Sequence, residues 1–278
     1  MNFGGHEVVY GYDESEIVIL PVPYDETSTW LRGADKGPDA ILNASPNLEF
    51  FDVETMSEAH LHGIFTASPV LEKETPGKLV DAVYLGVKTL ITEGKFPVVI
   101  GGNHTVPIGC FRAFAEKFEN LTILQLDAHA DLRQEYEGSE YNHACAMARA
   151  REYAPIVQLG IRSMSKDELP YFDRERMFFA HELYHDKGLY DKALALLTKN
   201  VYLTIDLDVL DPSLMPSTGT PEPGGPEYPE LMSFLGKVIS QRNLVGFDVV
   251  ELCPSESNKA PDFVAAKMIY QLLSYKFA

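Results

Sequence analysis

The chain has 278 residues, enough to bury a large core in one big α/β domain or two small ones. Apolar residues make up 45% and charged residues 23%, the balance of a soluble chain folded throughout. The formal net charge of −18 excludes a duplex binder, which needs clustered Lys and Arg to displace counterions, and disfavours an anionic membrane surface.

The first residues, MNFGGHEVVYG, show no basic segment followed by an apolar run, so no signal peptide is visible. No apolar stretch approaches the length of a membrane span, and a cytoplasmic location is expected. The first predicted strand is Ile17 to Val22, followed by a loop-rich stretch from Pro23 to Pro38. A helix is predicted over Lys78 to Glu93, a strand over Val98 to Ile100 and a helix over Pro107 to Phe118. Strand Thr122 to Leu126, helix Ala144 to Tyr153, strand Ile156 to Leu159 and helix Leu189 to Thr198 follow. Strand Tyr202 to Ile205 leads into a second loop-rich stretch, Asp211 to Pro229. Helix Pro229 to Ser240, strand Val245 to Val250 and a helix from about Pro261 to Tyr275 complete the chain.

The strands are rich in β-branched residues and bounded by Gly, Pro or charge, as buried strands are. Their alternation with helices predicts a parallel sheet covered on both faces. No repeat, low-complexity tract or linker composition interrupts it, so residues 1–278 read as one domain. Cys110, Cys145 and Cys253 are far apart and odd in number, which fits reduced packing residues rather than a disulfide framework or zinc ribbon.

Four polar clusters follow or close predicted strands. GGNH ends in His104, DAHAD supplies Asp127, His129 and Asp131, DLD supplies Asp206 and Asp208, and Glu251 stands after FDVV. In an open parallel sheet the strand carboxyl ends share one edge, where ligands bind. Asp127, His129 and Asp131 are spaced two apart, so an extended chain turns all three to one side, and Ala128 and Ala130 leave room for a ligand. Carboxylates gathered in a buried place repel one another unless cations join them. Two divalent ions meet that need. A donor set of carboxylates and imidazoles without thiolate suits Mn²⁺ better than structural zinc. Two such ions could share Asp127 and Asp206 and bridge one water, whose lowered pKa would make it hydroxide at neutral pH.

Other readings compete with this one. Each short motif alone is weak: a D-x-D can be a solvated loop, and two glycines can simply make a turn. His181, Glu182 and His185 fit H-E-x-x-H, a zinc-protease pattern that requires a helix. Asp186-Lys187-Gly188 follows at once and suggests a turn instead, and no histidine remains downstream as a third ligand. A two-metal phosphoesterase would want Lys or Arg around the site, where the motif segments offer mainly Arg133. A metal-loaded scaffold or regulator that runs no reaction is the binding-class alternative.

The segments GGNHTVPIG, LDAHADLR, NHACAM, TIDLDVLDP, TGTPEPGG and FDVVELCP, with LRGADKGPDAIL and KAPDFVAAKMIYQLL, resemble the ureohydrolase family, which includes arginase and agmatinase. The resemblance covers almost the whole chain. It implies a three-layer αβα fold around a mostly parallel eight-stranded sheet, two Mn²⁺ ions and a homo-oligomer, trimer or hexamer. It implies one metal on His104, Asp127, Asp131 and Asp206, and the other on Asp127, His129, Asp206 and Asp208. His143 matches the family's proton-shuttling histidine and Glu251 the carboxylate that holds the substrate guanidinium. One departure is Asn103, where the family often has Asp or Glu: an amide cannot raise the basicity of the neighbouring imidazole as a carboxylate would. Glu227 stands where many relatives are apolar and has no account from the sequence.

The mechanism implied is attack of a hydroxide on the guanidinium carbon, with Asp131 passing a proton to the leaving amine, His143 relaying protons to solvent and Glu251 pairing with the guanidinium. Glu135, Glu137 and Glu140 after the ligands predict an acidic rim that repels a substrate carboxylate and welcomes a second positive charge. That points to a cationic guanidine, agmatine cleaved to putrescine and urea. N1-aminopropylagmatine is the alternative by the same argument, and arginase or another guanidino-acid activity the reading against it.

Overall fold

The computed structural model describes all 278 residues. Eight parallel strands form one sheet: β1 (Ile17–Val22), β2 (Ile64–Thr66), β3 (Phe96–Gly101), β4 (Leu121–Leu126), β5 (Ile156–Ile161), β6 (Met177–Phe179), β7 (Asn200–Asp206) and β8 (Asn243–Val250). Their order is β2-β1-β3-β8-β7-β4-β5-β6. The helices are α1 (Gly37–Ala44), α2 (Pro76–Thr92), α3 (Pro107–Lys117), α4 (Ala146–Tyr153), α5 (Ala180–His185), α6 (Gly188–Leu196), α7 (Tyr228–Gln241) and α8 (Ala260–Phe277).

The three layers follow from strand alternation. Ile17 and Ile19 belong to one apolar cluster with residues of α1, α6, α7 and α8. Val18, Leu20 and Val22 belong to the other, with residues of α2, α3 and α4. Successive side chains of a strand point to opposite faces, so a strand buried on both sides is apolar throughout. α2 shows why its segment is helical. Leu79, Val80, Val83, Val87, Leu90 and Ile91 form one buried stripe, Pro76 opens the helix, and the Thr75 side chain accepts the Lys78 N–H at 3.2 Å. No helix is long and apolar enough to cross a membrane.

Four short elements depart from the sequence reading. The edge strands β2 and β6 have only three residues each, too few to show a period. α1 begins at the end of the first loop-rich stretch, with Pro38 in its first turn. The HELYH segment is helical, as α5, and the helix breaks after His185, where Asp186 is extended and Lys187 lies in a turn.

Candidate metal centre

The four polar clusters leave four strands that are neighbours in the middle of the sheet, β3, β8, β7 and β4. Register brings their ends together. Leu126 pairs with Ile205, which sets Asp127 beside Asp206, and Asp206 pairs with Val250, which brings Glu251 next to them. His104 arrives through GGNH after β3. A Cβ on Gly102 would stand 1.9 Å from the Tyr24 carbonyl oxygen, so only glycine lets the turn pack there.

The ligand atoms of His104, Asp127 and Asp206 all lie within 4.8 Å of one another, as do those of Asp127, His129 and Asp208. Asp131 joins the first group, with its Oδ2 3.1 Å from His104 Nδ1. His104 Nδ1 is also 3.0 Å from Asp127 Oδ2 and 3.5 Å from Asp206 Oδ2, yet this buried nitrogen has no hydrogen-bond partner. His129 Nδ1 lies 2.9 Å from Asp208 Oδ2. Thus all six predicted ligands meet at one point.

The tautomer of His104 follows from one hydroxyl proton. Thr204 donates to Asp248 Oδ1 at 2.8 Å, so its Oγ1 accepts from His104 Nε2, 3.0 Å away, and leaves a lone pair on Nδ1. Asp248 is fully buried and also accepts the Tyr202 hydroxyl at 2.7 Å. Burial pushes its carboxyl up to about 7, against the nearby His104 charge and these hydroxyls. Asn103 takes no part in this. Its amide donates to Thr27 at 2.7 Å and Ser28 at 3.2 Å, so it anchors the loop after β1 rather than the imidazole. The partner behind His104 is the Thr204–Asp248 pair on β7 and β8.

Electrostatics describe a cluster short of positive charge. Burial, then the Asp127 charge, pushes Asp131 up to about 7. Burial and the neighbouring Asp208 and Asp127 raise Asp206 well above the carboxylate range. Burial opposes the ionisation of Asp127, but His104 and His129 outweigh it and hold that pKa below its usual value. Burial likewise opposes the charged imidazoles, and the carboxylates around them still raise both. Two imidazoles cannot balance four aspartates. Divalent cations can, and an all-oxygen and imidazole donor set with one unpartnered buried nitrogen fits them.

A cavity of about 410 Å³ opens over the cluster. His143 and Glu251 line it. Glu251 Oε1 accepts the His104 backbone N–H at 2.8 Å, and burial pushes its carboxyl up to about 8. Burial, followed by the charges of His104 and His129, pulls the His143 imidazole down to about 4. Asp131 and Glu251 both hold left-handed backbone, with φ of 51° and 67°, a conformation that costs a non-glycine residue about 1–2 kcal/mol. Strain of this kind persists where surrounding bonds impose it: the Asp131 carbonyl accepts the Met147 and Ala148 N–H groups, and Glu251 N–H donates to Gly102 at 2.7 Å.

The acidic rim is not at the cavity. Glu135, Glu137 and Glu140 are exposed, none lines the pocket, and Glu140 pairs with Arg149 at 3.0 Å. The outer wall instead carries Arg133, Tyr136, Met164 and the buried Glu168. Arg133 lies over the Tyr136 ring at 4.6 Å. Glu168 closes a capping box with Ser165 and accepts the Leu132 N–H at 2.8 Å. Its S-x-x-E spacing was legible in the sequence as a cap, not as a cavity wall. Arg162 had no sequence signal, yet its guanidinium donates to the carbonyls of Asp208 at 2.6 Å and Glu222 at 2.8 Å, tying a ligand loop to TGTPEPGG. Glu227 is exposed at the N-cap of α7, where an acid suits the helix dipole. His181 and His185 are exposed, Glu182 pairs with Arg174, and none of the three belongs to either group of converging ligands.

Fold and site together define an α/β protein whose central strand ends gather carboxylates and imidazoles for divalent cations. The model of the arginase family matches residues 15–274. The chain is 35% identical over 280 residues to the N(1)-aminopropylagmatine ureohydrolase of Synechocystis sp., covering 97% of this chain and 92% of that protein. It is 32% identical over 271 residues to the agmatinase of Halalkalibacterium halodurans, covering 94% and 92%. The crystal structure of the agmatine ureohydrolase of Thermoplasma volcanium superposes with a TM-score of 0.89 at 29% identity, over 99% of this chain and 94% of that one. The chain belongs to the arginase family and is a ureohydrolase.

Proposed function

We propose that this ureohydrolase cleaves the guanidinium of a cationic, decarboxylated guanidine to urea and an amine, with N1-aminopropylagmatine preferred to agmatine. The observation that carries the chemistry is the meeting of His104, Asp127, His129, Asp131, Asp206 and Asp208 under a cavity that Glu251 and His143 also line. In this reading His104, Asp127, Asp131 and Asp206 hold one ion and Asp127, His129, Asp206 and Asp208 the other, Mn²⁺ by the hardness of the donors. Bound there, the ions supply a water acidified to hydroxide at neutral pH and charge to polarise the guanidinium.

The chain's own residues do the rest. Glu251 keeps Oε1 on the His104 N–H and offers its other oxygen to a planar guanidinium. Asp131, buried beside the cluster, takes the proton of the attacking water and delivers it to the leaving amine. His143 lines the cavity wall, where an imidazole can relay protons between the site and solvent.

The choice of tail does not rest on the acidic rim, which is absent from the cavity. It rests on the relatives: the protein named for the aminopropyl substrate is 35% identical, the agmatinase 32%. Glu168 is the wall carboxylate outside the ligand cluster and Glu251, with its oxygens on the Leu132 and Ser165 N–H groups and Arg133 on the same wall. The test is urea release from the Mn²⁺-loaded protein with N1-aminopropylagmatine, agmatine and arginine side by side. Higher kcat/KM for the aminopropyl compound is expected, giving the aminopropyl derivative of putrescine. A preference for agmatine would move the tail assignment to putrescine formation, and a preference for arginine would overturn the decarboxylated class.

A further inference from the structure

Two buried glutamines stand where strands otherwise carry apolar residues. Gln125 in β4 (LTILQL) and Gln158 in β5 (IVQLGI) are partners in register, and both are almost wholly inaccessible. A buried amide left without partners destabilises the fold, so each N–H and C=O of these two side chains needs a partner. Gln158 Nε2 donates to Gln125 Oε1 at 2.6 Å and to the Ala130 carbonyl at 2.7 Å. Gln125 Nε2 donates to Asp127 Oδ2 at 2.7 Å and to the His129 carbonyl at 3.2 Å. Both protons of each amide are thereby used. The orientation of Gln125 is set by Gln158: turned over, its oxygen would face the Asp127 carboxylate.

Asp127 is the residue common to both groups of converging ligands. Its Oδ1 accepts the His129 backbone N–H at 2.6 Å and its Oδ2 the Gln125 amide. These two bonds hold the carboxylate plane so that Oδ2 faces His104 Nδ1 at 3.0 Å while Oδ1 faces His129 Nδ1 at 3.6 Å. We infer that Gln125 and Gln158 are positioning residues, an amide relay that orients Asp127 so that one oxygen serves each metal. The inference rests on the two-metal reading above. Gln158 touches no ligand side chain and acts through Gln125 and the ligand loop's backbone.

The test is Mn²⁺ affinity, measured by competition with a chromophoric chelator, alongside the thermal midpoint of the metal-stripped protein. Gln125→Met and Gln158→Met should each weaken Mn²⁺ about 10–100-fold at both sites, the usual effect of losing a partner behind a ligand. The double variant should lose little more than either single one, since the two act in series. Val157→Ala is the structural control: its side chain points to the opposite face, so it should lower the midpoint and leave Mn²⁺ affinity unchanged. If a Met variant does not fold, Gln158→Glu keeps the shape while removing the donor, and should weaken Mn²⁺ likewise. Folded variants that bind Mn²⁺ as the wild type does would overturn the inference, as would loss in Gln125→Met with none in Gln158→Met. A wild-type protein that binds no Mn²⁺ would overturn the two-metal reading and this inference with it.

Discussion

Asp127 carries more of the candidate centre than any other side chain, because both ligand groups include it and each of its oxygens also accepts a protein N–H. Asp127→Ala removes a shared donor without leaving a new charge. The expected result is loss of bound metal, read by elemental analysis after dialysis, and urea release at least about 100-fold lower. Activity near the wild-type level in that variant would defeat the two-metal assignment. At this scale the sequence was informative where chemistry is tied to spacing. The period of two in DAHAD and the D-x-D that begins at the end of β7 pointed to a cluster of candidate ligands, because acids and imidazoles at strand ends need a reason. Partners of those ligands were not legible. Asp248 and Gln125 carry no motif, and only the register, which sets Asp248 against Thr204 and Gln125 against Gln158, shows them to be partners of the cluster. The rim glutamates failed for a related reason: sequence proximity to the ligands says nothing of which way a loop turns, and Glu140 turns to Arg149.

Among the elements, the turn from β3 into GGNH is the tightest. Gly102 N–H donates to Val22 and Asn103 N–H to Tyr24, both at 2.9 Å, so two loops are stitched together behind His104. A Cβ at Gly102 would meet the Tyr24 oxygen at 1.9 Å, and backbone must move to admit it. Gly102→Ala should therefore cost about 3 kcal/mol or more, as overpacking of a rigid site does, and weaken Mn²⁺ as well. Gly138→Ala is the matched comparison. Its φ of 79° is unfavourable for alanine, but nothing lies within 4 Å of the added atom. It should cost about 1 kcal/mol and leave metal affinity alone. Denaturant unfolding with chelator competition on both variants checks this, and equal losses of affinity would contradict it. The main strands and long helices were legible because their apolar runs and stripes have enough residues to show a period. β2, β6, α1 and α5 were not, since three to eight residues bounded by loops carry no clear periodicity.

For the whole molecule, the sheet order concentrates the acids. Inserting β8 and β7 between β3 and β4 puts the four strand ends that carry the candidate site side by side, a convergence that the alternation of strands and helices could suggest but not order. Burial first, and then mutual repulsion, raises the pKa values of Asp131 and Asp206 packed in this way, and the chain already carries a formal charge of −18. Cations that bind the folded chain and not the unfolded one must then stabilise the entire fold, by RT ln(1 + [M]/Kd). At free Mn²⁺ about 1,000 times Kd this amounts to about 4 kcal/mol per site. For a chain of this size each kcal/mol raises the midpoint by roughly 2–4 °C, so one saturated site gives roughly 8–16 °C. The measurement is thermal unfolding across a Mn²⁺ titration, wild type against Asp127→Ala. A rise confined to the wild type is expected, because the variant loses the shared ligand and with it the linkage. An equal rise in both proteins would place the stabilising ions on the acidic surface, away from the strand ends.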